Sequence, residues 1–345
     1  MHYGQVVLGP PGSGKSTYCY ALQQYFATIG RECIVVNLDP ANDNILYNCN
    51  INITELITLE EVMEEYNLGP NGGLLFCMEF LLKNIQWLFD RLHEFPSSYV
   101  IFDFAGQVEL FTSNNNVSSL INQLENQGFR LVAVNLVDSF YCSKPEVFIS
   151  ASLTSLISMI NMELPAVNVL SKIDLITKYG DIDYDLDYYT ELPDLSLMLY
   201  GVDRALQSPT EEAESEGSDS ENSSKANRAN DYGKELNEPN GNKPHDNEAN
   251  NSDAFSRSSE ADFDADFDAS DASDASDVCD EEEFVRRART PFQRKYRKLY
   301  WMLCEIVNDY SLLSFLPLDI NVGLERVVMM IEESHEYSKD RGNNG

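Results

Sequence analysis

The residues best suited to chemistry lie in a glycine-rich stretch near the start of the chain. Residues 9–16 read GPPGSGKS and match the pattern G-x-x-x-x-G-K-[S/T]. Glycines allow the backbone to turn its N–H groups toward phosphate oxygens, and the ammonium group of Lys15 adds positive charge for the β- and γ-phosphates. The Ser16 hydroxyl is suited to bind Mg²⁺, and the helix that follows adds the positive end of its dipole. The stretch therefore predicts a nucleotide-phosphate site made by Gly12, Ser13, Gly14, Lys15, Ser16 and Thr17.

A second pattern follows an apolar run in residues 99–107, which read YVIFDFAGQ. Asp103 stands at the end of the run, where its carboxylate can hold Mg²⁺ directly or through water. In the spacing D-x-x-G-Q, the N–H of Gly106 can approach a γ-phosphate, and Gln107 can orient an attacking water. Taken alone, residues 103–107 could be an ordinary acid at a strand end followed by a turn. That alternative does not explain why they occur in the same chain as the phosphate-binding pattern at residues 9–16.

A third pattern, the sequence LSKID, indicates which base the site prefers. Asp174, two residues after Lys172, can accept both guanine N–H groups, which adenine does not offer. The usual pattern is Asn-Lys-x-Asp, and Ser171 replaces the Asn, which weakens the pattern when it is taken by itself. Late in the chain, Pro317 and Leu318 of the sequence FLPL can pack beside the base.

Two other segments carry polar residues whose role the sequence leaves open. Asp39 ends an apolar run and can reach the catalytic water or the metal, or can cap a turn. Gly69, Pro70 and Asn71 begin the sequence GPNGG, which by itself predicts only a turn.

The motifs follow predicted strands, so the fold must bring the ends of these strands together. Apolar runs rich in β-branched residues predict buried strands at residues 5–8, 33–38, 99–102, 131–137 and 166–170. Between them, helical patterns occupy residues 16–29, 58–66, 79–93 and 146–162. Further along, a helix, a last strand and a closing helix are expected at residues 291–309, 312–318 and 322–336. The alternation predicts the three-layer α/β/α fold of P-loop nucleotide-binding proteins, with a mainly parallel sheet and helical additions.

The charge of the chain is strongly negative and unevenly distributed. The 345 residues carry a net charge of −33, and residues 202–284 alone hold 25 acidic against 6 basic side chains. A segment this polar cannot bury enough apolar surface to offset its chain entropy, so it is predicted to be a disordered acidic insert. The predicted organisation is a nucleotide-binding core at 1–201, the insert at 202–284, the C-terminal part of the core at 285–336 and a flexible tail at 337–345.

Composition also limits the kinds of partner and compartment that are expected for this chain. Because phosphate repels carboxylate, direct binding of nucleic acid is not expected of so acidic a chain. No run of 18 apolar residues predicts a membrane span, so no membrane association is expected. The seven cysteines lack CxxC spacing, which favours free thiols in a reducing compartment.

Together these motifs resemble those of the GPN-loop GTPases. The resemblance runs from residue 4 to about residue 333, outside the acidic insert, and rests on GPPGSGKST, NLDPAN, GPNGG, GQVEL, LSKIDL and FLPL. The sequences LVDSFYC and LDYYTE resemble the second eukaryotic paralogue, in which Ser also stands in the guanine motif. One departure is Phe104-Ala105, where the family commonly has Cys or Thr followed by Pro.

The resemblance implies hydrolysis of GTP to GDP with Mg²⁺. Ser16, Asp103 and Asp39 would lie at the metal, and Asp39, Gln107 and Glu109 would position the attacking water.

The resemblance also implies partners. The chain would form a homodimer, or a heterodimer with a paralogous GPN-loop GTPase, in which Asn71 reaches the γ-phosphate region of the partner's site. It would assist the assembly and nuclear import of RNA polymerase II through polymerase subunits or assembly factors. The expected location is the cytoplasm, with shuttling to the nucleus.

Two other functions fit a phosphate-binding loop. A small-molecule kinase would need a basic lid that closes on ATP, but the arginines at residues 286–289 follow the insert and not a sheet strand. A nucleotide-binding scaffold without significant turnover would not need the complete set of phosphate and Mg²⁺ ligands that this sequence carries.

Deleting residues 208–280 is expected to leave nucleotide binding and GTP hydrolysis largely intact, because so polar a segment adds little to a packed core. Calorimetric titration with GTP and a phosphate-release assay measure the two properties. Replacing the segment by a Gly-Ser linker of equal length separates the effect of its charge from that of its length. A large loss of GTP affinity in both variants would show that the insert contributes to the site.

Overall fold

The computed structural model describes residues 2–42, 44–180, 182–199, 281–288, 290–310 and 313–342. These residues form one sheet of seven strands, in the order β3-β2-β4-β1-β5-β6-β7, and every pairing is parallel. The strands are β1 (His2–Leu8), β2 (Cys33–Leu38), β3 (Cys49–Asn52), β4 (Tyr99–Phe104), β5 (Phe129–Asp138), β6 (Ala166–Ser171) and β7 (Phe315–Leu318). The predicted α/β fold with a parallel sheet is confirmed.

Helices cover both faces of this sheet. They are α1 (Lys15–Thr28), α2 (Leu59–Tyr66), α3 (Pro70–Lys83), α4 (Ile85–Leu92), α5 (Glu109–Thr112), α6 (Asn116–Asn126), α7 (Pro145–Met162), α8 (Leu186–Glu191), α9 (Glu281–Arg286), α10 (Pro291–Asp309) and α11 (Leu324–Gly342). In β1, Val6 and Leu8 pack in one hydrophobic layer with α2, α3 and α6, while Val7 packs in the other with α1 and α11. Because both faces are buried, inner strands such as β2 and β4 are nearly continuous apolar runs, whereas the edge strand β3 contains two asparagines.

The order of the strands in the sheet indicates where the candidate site lies. β1 lies between β4 and β5, with Val7 opposite Asp103 on one side and Leu8 opposite Asn135 on the other. The chain therefore leaves β1 toward one half of the sheet first and returns to fill the other half later. Ligands of open α/β sheets bind at the carboxyl ends of the strands where the order reverses in this way.

The structure corrects the prediction for the sequence GPNGG. This stretch is not a loop, because α3 begins at Pro70, with Gly69 as its N-cap. Proline is well tolerated at the first helical position, since its missing N–H has no partner there in any helix. Gly73 is needed for close packing and not for a turn, because a Cβ on it would lie 2.6 Å from Leu59 Cδ1 of α2. Residues 79–93 were predicted to form a single helix. They belong instead to two helices, α3 and α4, which meet at Asn84.

The segment boundaries near the end of the chain also differ from those predicted. Residues 202–280 of the predicted insert lie outside the described residues. Helix α9 begins at Glu281, within the predicted insert, and its Phe284 is buried. The backbone of Phe284 is held by Arg297, whose Nη1 donates to the Phe284 carbonyl at 2.8 Å. At the other end, α11 continues to Gly342, so part of the tail predicted to be flexible is helical.

The chain after the insert completes the sheet. β7 pairs with β6 from Phe315 opposite Asn168 to Leu318 opposite Ser171. Among the described residues, no helix is both long enough and apolar enough to cross a membrane.

Candidate functional site

The loop between β1 and α1 is held in the turned conformation that its glycines permit. Gly9, Gly12 and Gly14 have φ angles of 142°, 78° and 94°, values that residues with a Cβ rarely adopt. Gly9 also lies against β5, and a Cβ there would be 2.4 Å from the Leu136 carbonyl oxygen. The loop therefore has the shape that its sequence pattern predicts, directly at the start of α1.

Lys15 is buried and lies along this loop. Its Nζ donates to the carbonyl oxygens of Gly9 and Pro10 at 3.1 and 3.2 Å. Burial lowers the pKa of the ammonium group, and the nearby carboxylates of Asp103 and Asp39 oppose that shift. A buried cation between the loop and two acids is well placed to face a phosphate group.

Asp103 lies at the end of β4, and its two carboxylate oxygens differ in their hydrogen bonds to the described residues. Its Oδ2 accepts hydrogen bonds from Ser16 Oγ at 3.0 Å and from the Tyr47 hydroxyl at 2.9 Å. Its Oδ1 is buried, and within the part of the chain that the structure describes it has no hydrogen-bond partner. Burial raises the pKa of this carboxyl to about 6, although the hydrogen bonds from Tyr47 and Ser16 act in the opposite direction. A hydroxyl oxygen beside a buried, incompletely paired carboxylate is a donor set that fits Mg²⁺, which prefers oxygen ligands.

Tyr47 is a site residue that the sequence did not reveal, because it stands in a polar stretch without a motif. It is buried, and its hydroxyl lies 2.9 Å from Asp103 Oδ2 and 3.4 Å from Asn37 Oδ1. The side chain of Asn37 holds the next loop in turn. It accepts from the backbone N–H of Asp39 at 3.2 Å and donates to the Asp39 carbonyl at 3.1 Å. A chain of hydrogen bonds thus joins Asp103 to the loop that carries Asp39.

The residues predicted to act on the γ-phosphate line one open cavity of about 570 Å³, together with Lys15. They are Asp39, Asn71, Gln107 and Glu109. Gln107 is buried, and no described residue forms a hydrogen bond with its Oε1, whereas Asn71 and Glu109 are exposed at the mouth of the cavity. The structure therefore brings Asn71 into the same cavity as Lys15 of its own chain. The start of α3 lies beside the phosphate loop.

Gly106 explains how the second motif comes so close to Lys15. A Cβ on Gly106 would lie 2.8 Å from Lys15 Nζ and 3.0 Å from the backbone of Pro11. Only a residue without a side chain leaves room for both segments at this distance.

The residues of the guanine motif line a second cavity of about 80 Å³ on the other side of the phosphate loop. Its walls include Ser13, Gly14, Thr17, Ser171, Lys172, Asp174 and Leu318. Of the two late residues predicted at the base, Leu318 lines this cavity but Pro317 does not, because neighbouring strand residues face opposite sides of the sheet. Tyr18 and Ile320 also line it, and no sequence motif indicated them.

Ser171 has a bracing role that accounts for its place in the guanine motif. Its hydroxyl lies 2.8 Å from the Ser13 carbonyl oxygen and 3.1 Å from that of Val137. Lys172 acts similarly, since its Nζ donates to Gly12 O at 2.5 Å and pairs with Asp138 at 2.6 Å. Both residues thus connect the base cavity to the phosphate loop.

Comparison with known proteins agrees with this geometry. Residues 7–220 match the family described as "Conserved hypothetical ATP binding protein". The chain is 51% identical over 199 residues to GPN-loop GTPase 2 of Danio rerio, and 52% identical over 200 residues to GPN-loop GTPase QQT1 of Arabidopsis thaliana. These matches cover 58% and 57% of this chain and 64% and 67% of those proteins.

This chain belongs to the GPN-loop GTPase family. The predicted resemblance to the second paralogue is also confirmed, since the Schizosaccharomyces pombe relative, 46% identical over 205 residues, bears the name GPN-loop GTPase 2 as well. The matched segment spans about two thirds of the length of these relatives. Among solved structures, a GTPase in apo form from Pyrococcus abyssi superposes with a TM-score of 0.47 and 23% identity, over 61% of this chain and 86% of that chain.

In this GPN-loop GTPase, the Gly-Pro-Asn sequence is the N-terminus of a helix. Gly69 has no side chain to cap α3, and the first backbone bond that closes the helix runs from Gly73 N–H to the Gly69 carbonyl. The N–H groups of Asn71 and Gly72 precede that bond, so they lie among the unpaired donors of the first turn. A helix N-terminus beside a phosphate cavity favours negative charge.

Asp103→Asn is expected to stabilise the metal-free protein at pH 8 by about 2–3 kcal/mol, because burial raises the pKa of this carboxyl to about 6 and its charged form is costly. A carboxyl with a raised folded-state pKa costs stability as the pH rises from about 4 through about 6, and the cost is complete above that range. The gain should therefore be smaller at pH 5 than at pH 8. Urea unfolding with a chelator measures it.

The matched control for this substitution is Asp90→Asn, which changes an exposed carboxylate on α4. It should alter stability little at either pH. Equal stability of Asp103→Asn and the wild type at pH 8 would contradict a buried charge at residue 103.

Proposed function

We propose that this chain binds GTP together with Mg²⁺ and hydrolyses the γ-phosphate bond. The observation that carries the proposal is the position of the phosphate loop, between a cavity with Asp39, Asn71, Gln107 and Glu109 and a cavity with Asp174. One nucleotide can therefore place its base against Asp174 and its terminal phosphate near Gln107.

The phosphate loop and α1 hold the nucleotide. Backbone N–H groups of the loop and the dipole of α1 attract the phosphates, and Lys15 supplies a fixed cation. Ser16 and Asp103 would hold Mg²⁺, with Asp39 nearby. The metal, when bound, neutralises charge on the β- and γ-phosphates.

Gln107 is the residue best placed to orient the attacking water. Its buried Oε1 has no hydrogen-bond partner among the described residues and can accept a hydrogen bond from a water molecule. Asp39 and Glu109 line the same cavity and can accept the remaining water proton. Gly106 brings its backbone beside Lys15, where its N–H can stabilise the charge that develops on the γ-phosphate.

The base cavity supports guanine. The matched family is described as ATP-binding, while the relatives are named GTPases. The preference for guanine over adenine is therefore inferred from the residues that line the base cavity. Asp174 offers two acceptors in a small cavity with apolar walls from Leu136, Leu318 and Ile320. Asp174 is exposed in the structure, so a base that covers it must replace its bonds to water. Guanine does so with its N1–H and amino groups, whereas adenine does not offer this pair of donors.

We also propose that a second chain closes the phosphate cavity. Asn71 and Glu109 are exposed at its mouth, and hydrolysis benefits when bulk water is excluded from the reacting groups. A second copy, or a paralogous GPN-loop GTPase, would cover that mouth and place its own Asn71 toward the γ-phosphate.

The cellular role is proposed from the family resemblance alone. The chain would assist assembly and nuclear import of RNA polymerase II, acting in the cytoplasm and shuttling to the nucleus. Depletion of the protein should then leave polymerase subunits in the cytoplasm, and unchanged nuclear polymerase after depletion would contradict this role.

Asp174→Asn is expected to weaken GTP binding more than about tenfold, or 1.4 kcal/mol, because one acceptor becomes a donor that faces guanine N–H groups. Calorimetry with GTP, GDP and ATP measures the change. Asp183→Asn, an exposed acid of the same segment, serves as the control and should bind GTP normally. Equal affinity of the wild type for ATP and GTP would refute the guanine assignment.

Replacing Asn71 is expected to slow hydrolysis while leaving GTP binding nearly unchanged, since an interaction made mainly in the transition state lowers kcat and not affinity. If Asn71 acts on the partner's site, a mixture of Asn71→Ala and Lys15→Ala chains should regain activity. The mixed dimer holds one site that binds nucleotide and faces an intact Asn71. Single-turnover assays of the two chains, separate and mixed, measure the recovery.

The control mixture combines Asn71→Ala chains with chains that carry both Lys15→Ala and Asn71→Ala. It contains no intact Asn71 and should regain nothing. If mixed dimers are confirmed by native mass spectrometry but the first mixture shows no gain, Asn71 acts within its own chain.

A further inference from the structure

The segment that leads from β2 to β3 is anchored by one buried aromatic side chain. The structure describes residues 41–48 except residue 43, and of these Tyr47 alone is buried, with 5% of its surface exposed. Its neighbour Leu46 is 60% exposed. The ring of Tyr47 belongs to the hydrophobic cluster that contains Cys19 and Leu22 of α1. It therefore holds this segment against the helix that follows the phosphate loop.

The hydroxyl group of Tyr47 is not explained by this packing, because a phenylalanine ring would fill the same space. The hydroxyl lies between two polar side chains, 2.9 Å from Asp103 Oδ2 and 3.4 Å from Asn37 Oδ1. Burying a hydroxyl costs free energy unless it is hydrogen-bonded. A carboxylate only accepts hydrogen bonds, so the phenol donates its proton to Asp103. The position of the hydroxyl therefore points to a role at Asp103.

Two donors from different parts of the chain hold the Asp103 carboxylate. Tyr47 and Ser16 both donate to Oδ2, at 2.9 and 3.0 Å. The carboxylate cannot rotate without breaking these two hydrogen bonds. Its Oδ1 is buried and has no hydrogen-bond partner among the residues that the structure describes, so it is the oxygen left for a cation.

Tyr47 differs from Ser16 in its relation to the metal. The Ser16 oxygen is itself a proposed Mg²⁺ ligand, whereas the Tyr47 hydroxyl is placed to act through Asp103. Residues that hydrogen-bond a metal ligand fix its orientation, and their loss usually weakens metal binding roughly 10–100-fold.

The same hydroxyl lies next to the side chain that holds Asp39. Asn37 accepts from the backbone N–H of Asp39 at 3.2 Å and donates to the Asp39 carbonyl at 3.1 Å. Asn37 and Asp103 lie opposite each other on the neighbouring strands β2 and β4, so Tyr47 bridges the ends of both strands. A change in the orientation of the Asp103 carboxylate is thereby passed to the segment that carries Asp39.

We propose that Tyr47 is a positioning residue of the Mg²⁺ site, which orients the Asp103 carboxylate for the cation and couples it to the segment of Asp39. This inference rests on the proposed function, because the metal concerned is the one that accompanies GTP. Neither nucleotide cavity is lined by Tyr47. The residue therefore affects the response to Mg²⁺ and not the affinity for the nucleotide itself.

Tyr47→Phe tests the proposal, because it removes the hydroxyl and keeps the ring. The affinity of the full-length protein for a GTP analogue that cannot be hydrolysed is measured in a chelator and then across a Mg²⁺ titration. In the chelator, the variant should bind the analogue as the wild type does. The Mg²⁺ concentration that gives half of the metal-dependent gain in affinity should rise at least about tenfold.

Tyr99→Phe is the matched control. Tyr99 belongs to the same hydrophobic cluster and is also 5% exposed, but its hydroxyl lies 3.3 Å from His335 Nε2 and not beside Asp103. This variant should show the Mg²⁺ dependence of the wild type. An equal shift in both variants would show a general loosening of the core and would overturn the proposal.

A second pair of variants asks whether Tyr47 acts through Asp103. In a chain that already carries Asp103→Asn, adding Tyr47→Phe should change the Mg²⁺ dependence little further, because residues that act through one another are not additive. Hydrolysis at saturating Mg²⁺ measures the coupling to Asp39. Tyr47→Phe should lower kcat and leave the KM for GTP nearly unchanged.

The outcomes separate this inference from the proposed function. If Mg²⁺ does not change the nucleotide affinity of the wild type, the proposed metal site is itself wrong. If the wild type responds to Mg²⁺ and Tyr47→Phe responds at the same concentrations, only the role of Tyr47 is overturned. Equal weakening of binding with and without Mg²⁺, or an undiminished effect in the Asp103→Asn chain, would show that Tyr47 does not act on the metal through Asp103.

Discussion

The site depends on how the backbone of the phosphate loop is held. Four of its carbonyl groups accept hydrogen bonds from side chains: Lys15 donates to Gly9 and Pro10, Lys172 to Gly12, and Ser171 to Ser13. These donors come from α1 and from the end of β6, on opposite sides of the loop. With the carbonyl groups occupied by the protein, the loop can present N–H groups to an anion without first rearranging, which is the condition for strong electrostatic binding.

The same bracing joins the two ends of the nucleotide site. Ser171 and Lys172 belong to the guanine motif, yet their hydrogen bonds run to the phosphate loop. A base that moves this segment therefore also moves the backbone that faces the phosphates. On the opposite side, the Tyr47 hydroxyl lies between Asp103 and Asn37, so the segment carrying Asp39 is connected to the buried acid. Both connections are short; the Ser171 and Tyr47 contacts are buried, whereas the Lys172 contact with Gly12 is exposed.

The buried acid shows that the site is arranged for a ligand and not for the stability of the chain alone. Asp103 is 1% exposed, and its pKa is raised to about 6. One of its oxygens has no hydrogen-bond partner in the described ranges of the chain. Ionising it in the protein costs about 2–3 kcal/mol, a sizeable part of the 5–15 kcal/mol by which domains are usually stable. A divalent cation bound at the unpaired oxygen would offset this cost, because it supplies the missing opposite charge.

The sequence by itself determined the features that depend on local pattern. The glycine spacing of residues 9–16, the apolar strands and the acids at their ends were enough to predict the parallel sheet and the position of the phosphate loop. Only the tertiary structure decided which distant residues meet. Tyr47 lies 56 residues from Asp103, and Ser171 lies 158 residues from Ser13, so no sequence window contains either contact. The same reason explains why the sequence alone did not place Asn71 and Pro317 in the structure. A Gly-Pro-Asn sequence is compatible with a turn or with a helix start, and the packing of Gly73 against Leu59 selects the helix. Strand pairing decides that Leu318 and not Pro317 lines the second cavity, because a side chain's direction depends on register and not on residue type.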